Sequence, residues 1–91
     1  MEFEWDENKR MSNLAKHDID FADVIYVFDD PHRIENMDDR KNYGEIRINT
    51  IGLLKNEVIV AVVHTDRNGI TRIISARRTS KKERNLYYGS R

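Results

Sequence analysis

The sequence predicts an α+β domain in which a hairpin-linked antiparallel sheet packs against two N-terminal helices and runs on into a C-terminal helix. Three observations carry this. Up to Phe28 the apolar residues recur at helical spacing, whereas from Ile46 they alternate and become β-branched. Asn68-Gly69 sits between two such alternating runs, and both residues tolerate the positive φ of a type I′ hairpin turn. Ser80-Lys81-Lys82-Glu83 then matches a capping box, in which Ser80 and Glu83 satisfy each other's free amides at a helix start.

In chain order, Phe3 and Trp5 lie on one face of a short strand, and Asp6 is placed to cap a helix through His17. The apolar stripe of that helix is thin, made of Met11, Leu14 and Ala15. A second helix is capped by Asp20, with Ile19 and Val24 at hydrophobic-staple positions and Phe21, Val24, Ile25 and Phe28 on its buried face. Asp29-Asp30-Pro31 ends it. Residues 31–45 are polar and contain the only proline, so they read as a connection with at most one edge strand around Arg33 to Asn36.

Strands follow near 46–54, 57–65 and 70–78, joined by turns at Lys55-Asn56 and Asn68-Gly69. Two-residue turns would pair Arg47 with His64 and His64 with Ile73. They would place Ile46, Ile48, Leu54, Ile59, Ala61, Val63, Ile74 and Ala76 beneath the helices. The opposite face would show Asn49, Ser75 and Arg77 among Ile51, Val60 and Val62. The last helix spans Lys81 to about Tyr88.

At 91 residues the chain is expected to be one domain, 1–91, with a single thin core. There is no cysteine, hence no disulfide and no thiolate metal site. The acidic N-terminus is unlike a signal peptide and no run reaches membrane-spanning length, which predicts a cytoplasmic protein. Net charge is zero only because two halves cancel. Residues 1–45 hold 6 Lys/Arg against 13 Asp/Glu, a balance of −7, and residues 46–91 hold 10 against 3, a balance of +7.

The basic half has an anion-binding layout. Arg67, Arg72, Arg77 and Arg78 fall within twelve residues whose one local counter-charge is Asp66. They lead into the amides of a helix N-terminus carrying Lys81, Lys82 and Arg84, a place that favours phosphate. For any one surface arginine, pairing with a neighbouring carboxylate is the plainer reading; four together point to an external polyanion. Lys16 and His17 close the first helix, where cations suit the macrodipole without any chemistry, and they are the lesser candidates for binding RNA phosphate. His64 is read equally as a half-buried spacer or as a catalytic group, and Glu83 as a cap that could also serve as a base. Of Tyr87 and Tyr88, one should pack on the sheet and the other stay free to stack on a base.

No cofactor or metal is expected, since His17, His32 and His64 lie in different elements and no ligand-spaced pair occurs. The motifs of serine hydrolases, P-loop enzymes and dinucleotide-binding folds are absent as well.

Four segments in order carry a family resemblance: Phe3-Glu4-Trp5-Asp6-Glu7-Asn8-Lys9, Asn13-Leu14-Ala15-Lys16-His17-Asp18-Ile19-Asp20-Phe21, Val27-Phe28-Asp29-Asp30-Pro31, and Arg72-Ile73-Ile74-Ser75-Ala76-Arg77-Arg78 with Glu83-Arg84. Nearly end to end, the chain resembles the BrnT toxins; Asp18 departs from the glycine the family typically has after Lys-His. The resemblance implies a small RelE-like domain and a ribonuclease toxin of a type II toxin–antitoxin pair. It also implies an RNA substrate, free or as ribosome-bound mRNA, and a BrnA-like ribbon-helix-helix antitoxin through which alone operator DNA is contacted. RNA cleavage without a metal needs a base, positive charge on the phosphate and an acid for the leaving 5′-oxygen. The sequence offers His64 or Glu83 as base, Arg67, Arg72, Arg77 and Arg78 on the phosphate, and Tyr87 or Tyr88 as acid or stacking platform. The alternative is a non-catalytic module or co-repressor whose basic face binds an acidic partner or nucleic acid.

Overall fold

The computed structural model describes residues 1–38 and 44–89. In chain order these form β1 (Glu2–Trp5), α1 (Glu7–His17), α2 (Phe21–Val24) continued by a 3-10 turn (Ile25–Asp29), β2 (Ile34–Asp38), β3 (Arg47–Leu53), β4 (Ile59–Arg67), β5 (Ile70–Arg78) and α3 (Lys81–Gly89). The sheet runs β1-β5-β4-β3-β2, and β2 to β5 form the expected antiparallel meander. The sheet as a whole is mixed, because β1 pairs parallel to β5 with Trp5 opposite Ile73. A parallel partner 68 positions away leaves no turn signature in the sequence, which is why a purely antiparallel sheet was expected. Of the predicted connection, residues 39–43 lie outside the described residues.

Each helix start is held by the expected cap. Asp6 accepts from the amides of Asn8 (2.8 Å) and Lys9 (3.3 Å), and Asp20 from that of Ala22 (3.0 Å). Asp18 ends α1 at φ 56°, a left-handed position that glycine would occupy without strain and that aspartate tolerates better than most residues. The predicted stripe of α1 is corrected: Met11 is exposed, and the buried residue is Asn13. Its amide donates to the Ile19 carbonyl (3.1 Å) and its Oδ1 accepts from Ala76 N–H (3.0 Å), capping the edge of β5 beyond the end of β1. In α2 and its 3-10 continuation the fully buried residues are Phe21, Val24 and Val27, three apart as a 3-10 turn requires. Val27 therefore replaces Ile25 and Phe28, which are half-buried, at the centre of that face.

The face assignment of the sheet is also corrected. The β3–β4 loop contains three residues, Lys55 to Glu57, closed by Leu54 N–H to Val58 O (2.8 Å), with Glu57 at φ 69°. One extra loop residue pairs Ile48, not Arg47, with His64, and a one-residue slip exchanges faces. The core beneath the helices thus contains Leu54, Val60, Val62, Ile73 and Ala76 with Phe21, Val24 and Val27. Ile59 and Ala61 belong to a second cluster with Ile51 and Tyr87, roofed by α3, while Ile46 is exposed. Central β4 is covered on both faces from Ile59 to Thr65.

Gly52 sits where Val27 crosses β3. A Cβ there would lie 2.6 Å from Val27 Cγ1 and 3.3 Å from the Val27 carbonyl oxygen, and the backbone contact cannot yield by rotamer change. Gly52→Ala is expected to cost about 1–3 kcal/mol of overpacking, read as a lower urea midpoint with unchanged slope.

Candidate functional site

The sheet has one face under α1 and α2. Its other face is only partly roofed by α3, and there a polar surface is left open. Pairing defines its rows: Asn36, Asn49, Val63 and Ser75 lie side by side across β2 to β5, with Ile51, Ala61 and Arg77 in the next row towards α3. Arg67, Arg72 and Arg77 share this face. Strict alternation would separate Arg72 from Arg77, which are an odd number of residues apart. A bulge opposite Val63/His64 adds one residue to β5 and brings them together.

These arginines are paired internally, contrary to the expectation that Asp66 is their one counter-charge. Arg67 meets Glu45 (3.2 Å), which also holds Arg47 (3.3 Å), and Arg72 meets Glu4 (2.9 Å) from the parallel strand β1. Arg77 grips Glu83 in two-pronged fashion, Nη1 to Oε1 at 2.7 Å and Nη2 to Oε2 at 2.9 Å. The capping box is present as read: Ser80 N–H donates to Glu83 Oε1 (2.8 Å) and Glu83 N–H to Ser80 Oγ (3.2 Å). The Arg77 guanidinium, assisted by the Ser80 amide, outweighs burial and holds the Glu83 carboxyl down at about 2.

Arg78 points to the other face, opposite Val60, where it lines a pocket of about 330 Å³ with Asp18, Asp20 and Asp23. The four-arginine cluster is thereby divided by the sheet. Asp18 follows Lys16-His17, so the exposed end of α1 lies near the end of β5, and α3 opens with Lys81 and Lys82 shortly after Arg78 in the chain. Lys16, Arg78, Lys81 and Lys82 make no ion pair with the described residues, and Arg84 donates to the Thr79 carbonyl (2.8 Å).

Two predicted catalytic side chains lie elsewhere. His64 faces the helices, stacked edge-on against Phe28 (4.9 Å) with Nε2 2.7 Å from Thr50 Oγ1, and is 7% exposed. It does not join Arg77 and Glu83, because the loop and bulge that set the register turn it inward. Burial pushes its imidazole below the usual histidine range despite Glu35 nearby. As pH falls below about 6.5 the unfolded chain takes up a proton that the folded one resists, so stability declines there. A His64→Asn variant should lose that part of the slope in melting temperature between about pH 6.5 and 5.

Tyr87 packs inward, 1% exposed, with its hydroxyl donating to Asp30 Oδ2, whereas Tyr88 is 54% exposed with its ring edge-on to that of Tyr87 at 5.4 Å. This is the division anticipated for the pair, but it places Tyr87 in the core. Asp30 was not read as more than a helix stop. It also accepts from Leu53 N–H (2.9 Å) and His32 N–H (2.9 Å), joining α2, β3 and α3. Among the described residues no three His, Asp or Glu side chains gather as a metal site, and no helix is long and apolar enough to cross a membrane.

Residues 5–83 match the family described as "Ribonuclease toxin, BrnT, of type II toxin-antitoxin system". The fold is similar to the crystal structure of the Brucella abortus ribonuclease toxin, BrnT, with a TM-score of 0.66 at 30% identity, over 89% of this chain and 99% of that one. No curated protein matches the chain.

Proposed function

Because this chain belongs to the BrnT family of ribonuclease toxins of type II toxin–antitoxin systems, we propose that it cuts RNA by a RelE-like, metal-independent transesterification at the Arg77–Glu83 pair. The observation that supports this most directly is the bidentate Arg77–Glu83 contact at the opening of α3, flanked by exposed Lys81 and Lys82. A 2′-hydroxyl attacking the adjacent phosphate must lose a proton while charge builds on the phosphoryl oxygens. Arg77 offers two parallel N–H donors to those oxygens, and a phosphate arriving there competes for them with Glu83. Glu83, released from the arginine, regains basicity and becomes the candidate base. Lys81, Lys82, Lys16, His17 and Arg84 would hold neighbouring phosphates as point charges, and Tyr88 would protonate the leaving 5′-oxygen or stack on a base. Arg67, Arg72 and Arg78 would take outer phosphates only by exchanging carboxylate partners or from the far side of the sheet, so their weight is smaller. His64 and Tyr87 are assigned to the core.

The toxin would be neutralised by a BrnA-type ribbon-helix-helix antitoxin, which alone would touch operator DNA, and would inhibit translation in the cytoplasm by cutting mRNA, free or on the ribosome. The test is incubation of the purified protein with structured RNA in excess EDTA, with and without antitoxin. Cleavage that persists in EDTA and stops with antitoxin is the expected result. RNA binding that weakens with salt but yields no cut product, on free RNA or on translating ribosomes, would replace the enzyme by a binding module.

A further inference from the structure

The polar row on the open sheet face contains an atom that the proposed cleavage chemistry does not use. Asn49 Oδ1 is buried and, among the described residues, has no hydrogen-bond partner. A buried acceptor left without a hydrogen bond is costly to a folded chain, so such an atom calls for a reason. The Asn49 residue lines a pocket of about 210 Å³ with Asn36, Met37, Asp38, Val63 and Arg77.

The chemistry of the lining defines the guest. Asn49 and Asn36 are direct cross-strand neighbours and Asp38 is diagonal to Asn49 on the same face, where side chains remain within reach of one another. Asn49 Oδ1 and the Asp38 carboxylate put two acceptors along one wall, while the Asn36 amide can donate. Val63 supplies apolar surface for a ring. Arg77, at the pocket's edge, is the same side chain that grips Glu83.

We infer that this pocket receives a guanine base next to the scissile phosphate, with Asn49 and Asp38 accepting from its N1–H and N2 amino group. Guanine is the base whose pairing edge places two donors side by side with an acceptor, O6, beyond them. Adenine and cytosine set a ring-nitrogen acceptor beside their amino group, and uracil flanks its one N–H with two carbonyls, so each of those would face the Asp38 carboxylate with a lone pair. The inference rests on the ribonuclease reading for the nature of the ligand, yet it is separable from cleavage because base recognition is a binding property.

The experiment measures binding by fluorescence anisotropy in EDTA. The probes are short oligouridylates carrying one central guanine, adenine, cytosine or uracil, with 2′-O-methyl groups so that none is cut. The guanine oligonucleotide should bind about tenfold tighter than the other three. Asn49→Ala should level the four, and Asn49→Asp, which keeps the acceptor, should retain the preference. Asn36→Ala, on the exposed edge strand, should weaken it severalfold and serves if the Asn49 variant does not fold. Equal binding of the four by the unaltered protein, or a guanine preference that survives both alanine variants, overturns the pocket. Unmodified RNA assayed in parallel separates the two ideas. Cleavage without guanine preference would remove the pocket and leave the enzyme, and preference without cleavage would do the reverse.

Discussion

Asp30→Ala is expected to destabilise this protein severely, lowering unfolding free energy by about 3 kcal/mol or more. The reason is the number of groups it would orphan. Asp30 is buried and accepts from Leu53 N–H in β3, His32 N–H in the following turn and the hydroxyl of Tyr87, which is itself 1% exposed. Alanine leaves a strand amide and a phenol buried without partners. Tyr87→Phe removes one hydrogen bond to a charged acceptor and leaves Asp30 two amides, so its cost should be smaller, about 1.5–3 kcal/mol. Burial by itself would raise the Asp30 carboxyl, but the Tyr87 hydroxyl and the two amides outweigh it and hold the group below its usual range. The contribution is therefore fully present above the unfolded value of about 3.9 and is lost as pH falls through the lower folded value. Chemical denaturation of the two variants at pH 7, and of the unaltered protein across pH 2–5, measures these effects. Since Tyr87 fastens α3, hydrogen exchange in the Asp30→Ala variant should rise first in residues 81–89. A variant as stable as the unaltered protein would mean that water satisfies these groups without loss.

Capping, helix position and the meander could be read from the chain because each depends on residues within a few positions of one another. Asp6, Asp20 and the Ser80/Glu83 box make contacts two or three residues away, and Asn68-Gly69 turns a hairpin by its own backbone preference. What could not be read depends on distant or subtle choices. Glu57 carries no special signal for a left-handed turn, yet its conformation lengthens one loop and exchanges the faces of β4. The β5 bulge has no glycine to announce it, and without it Arg72 and Arg77 would not share a surface. The carboxylates that satisfy the arginines, Glu4 and Glu45, come from 68 and 22 residues away. Net charge by segment therefore overstates the free positive potential of the hairpin, although Lys81 and Lys82 at the start of α3 are exposed. Asp30 looked like a helix stop because its partners, Leu53 and Tyr87, belong to elements that meet it only in the folded chain.

Arg77→Ala should reduce RNA cleavage by about 10²–10³-fold, the scale of losing a preorganised donor to developing charge. Folding should survive. The Arg77 side chain is 43% exposed, and a half-exposed ion pair contributes on the order of 1 kcal/mol after solvent screening, so melting should shift by only a few degrees. Arg77→Lys should recover little, because an ammonium cannot present two parallel donors to a phosphate or to Glu83. The more decisive reading is the pH dependence of Glu83. With Arg77 in place its carboxyl lies at about 2, so the folded state gains from the pair above the unfolded value of about 4.3 and loses that gain as pH falls towards 2. In the Arg77→Ala variant the carboxyl should move back up towards its ordinary range, which NMR titration of the Glu83 side chain would follow directly. Glu83→Gln supplies the complementary test, since it keeps the Arg77 guanidinium for the phosphate but offers no base. If Glu83 is the base, Glu83→Gln should bind RNA at least as well as the unaltered protein and cut it far more slowly. If Glu83 only positions Arg77, the loss should appear mainly in KM. Equal cleavage by all three proteins would take the reacting phosphate away from this pair, whatever the family does.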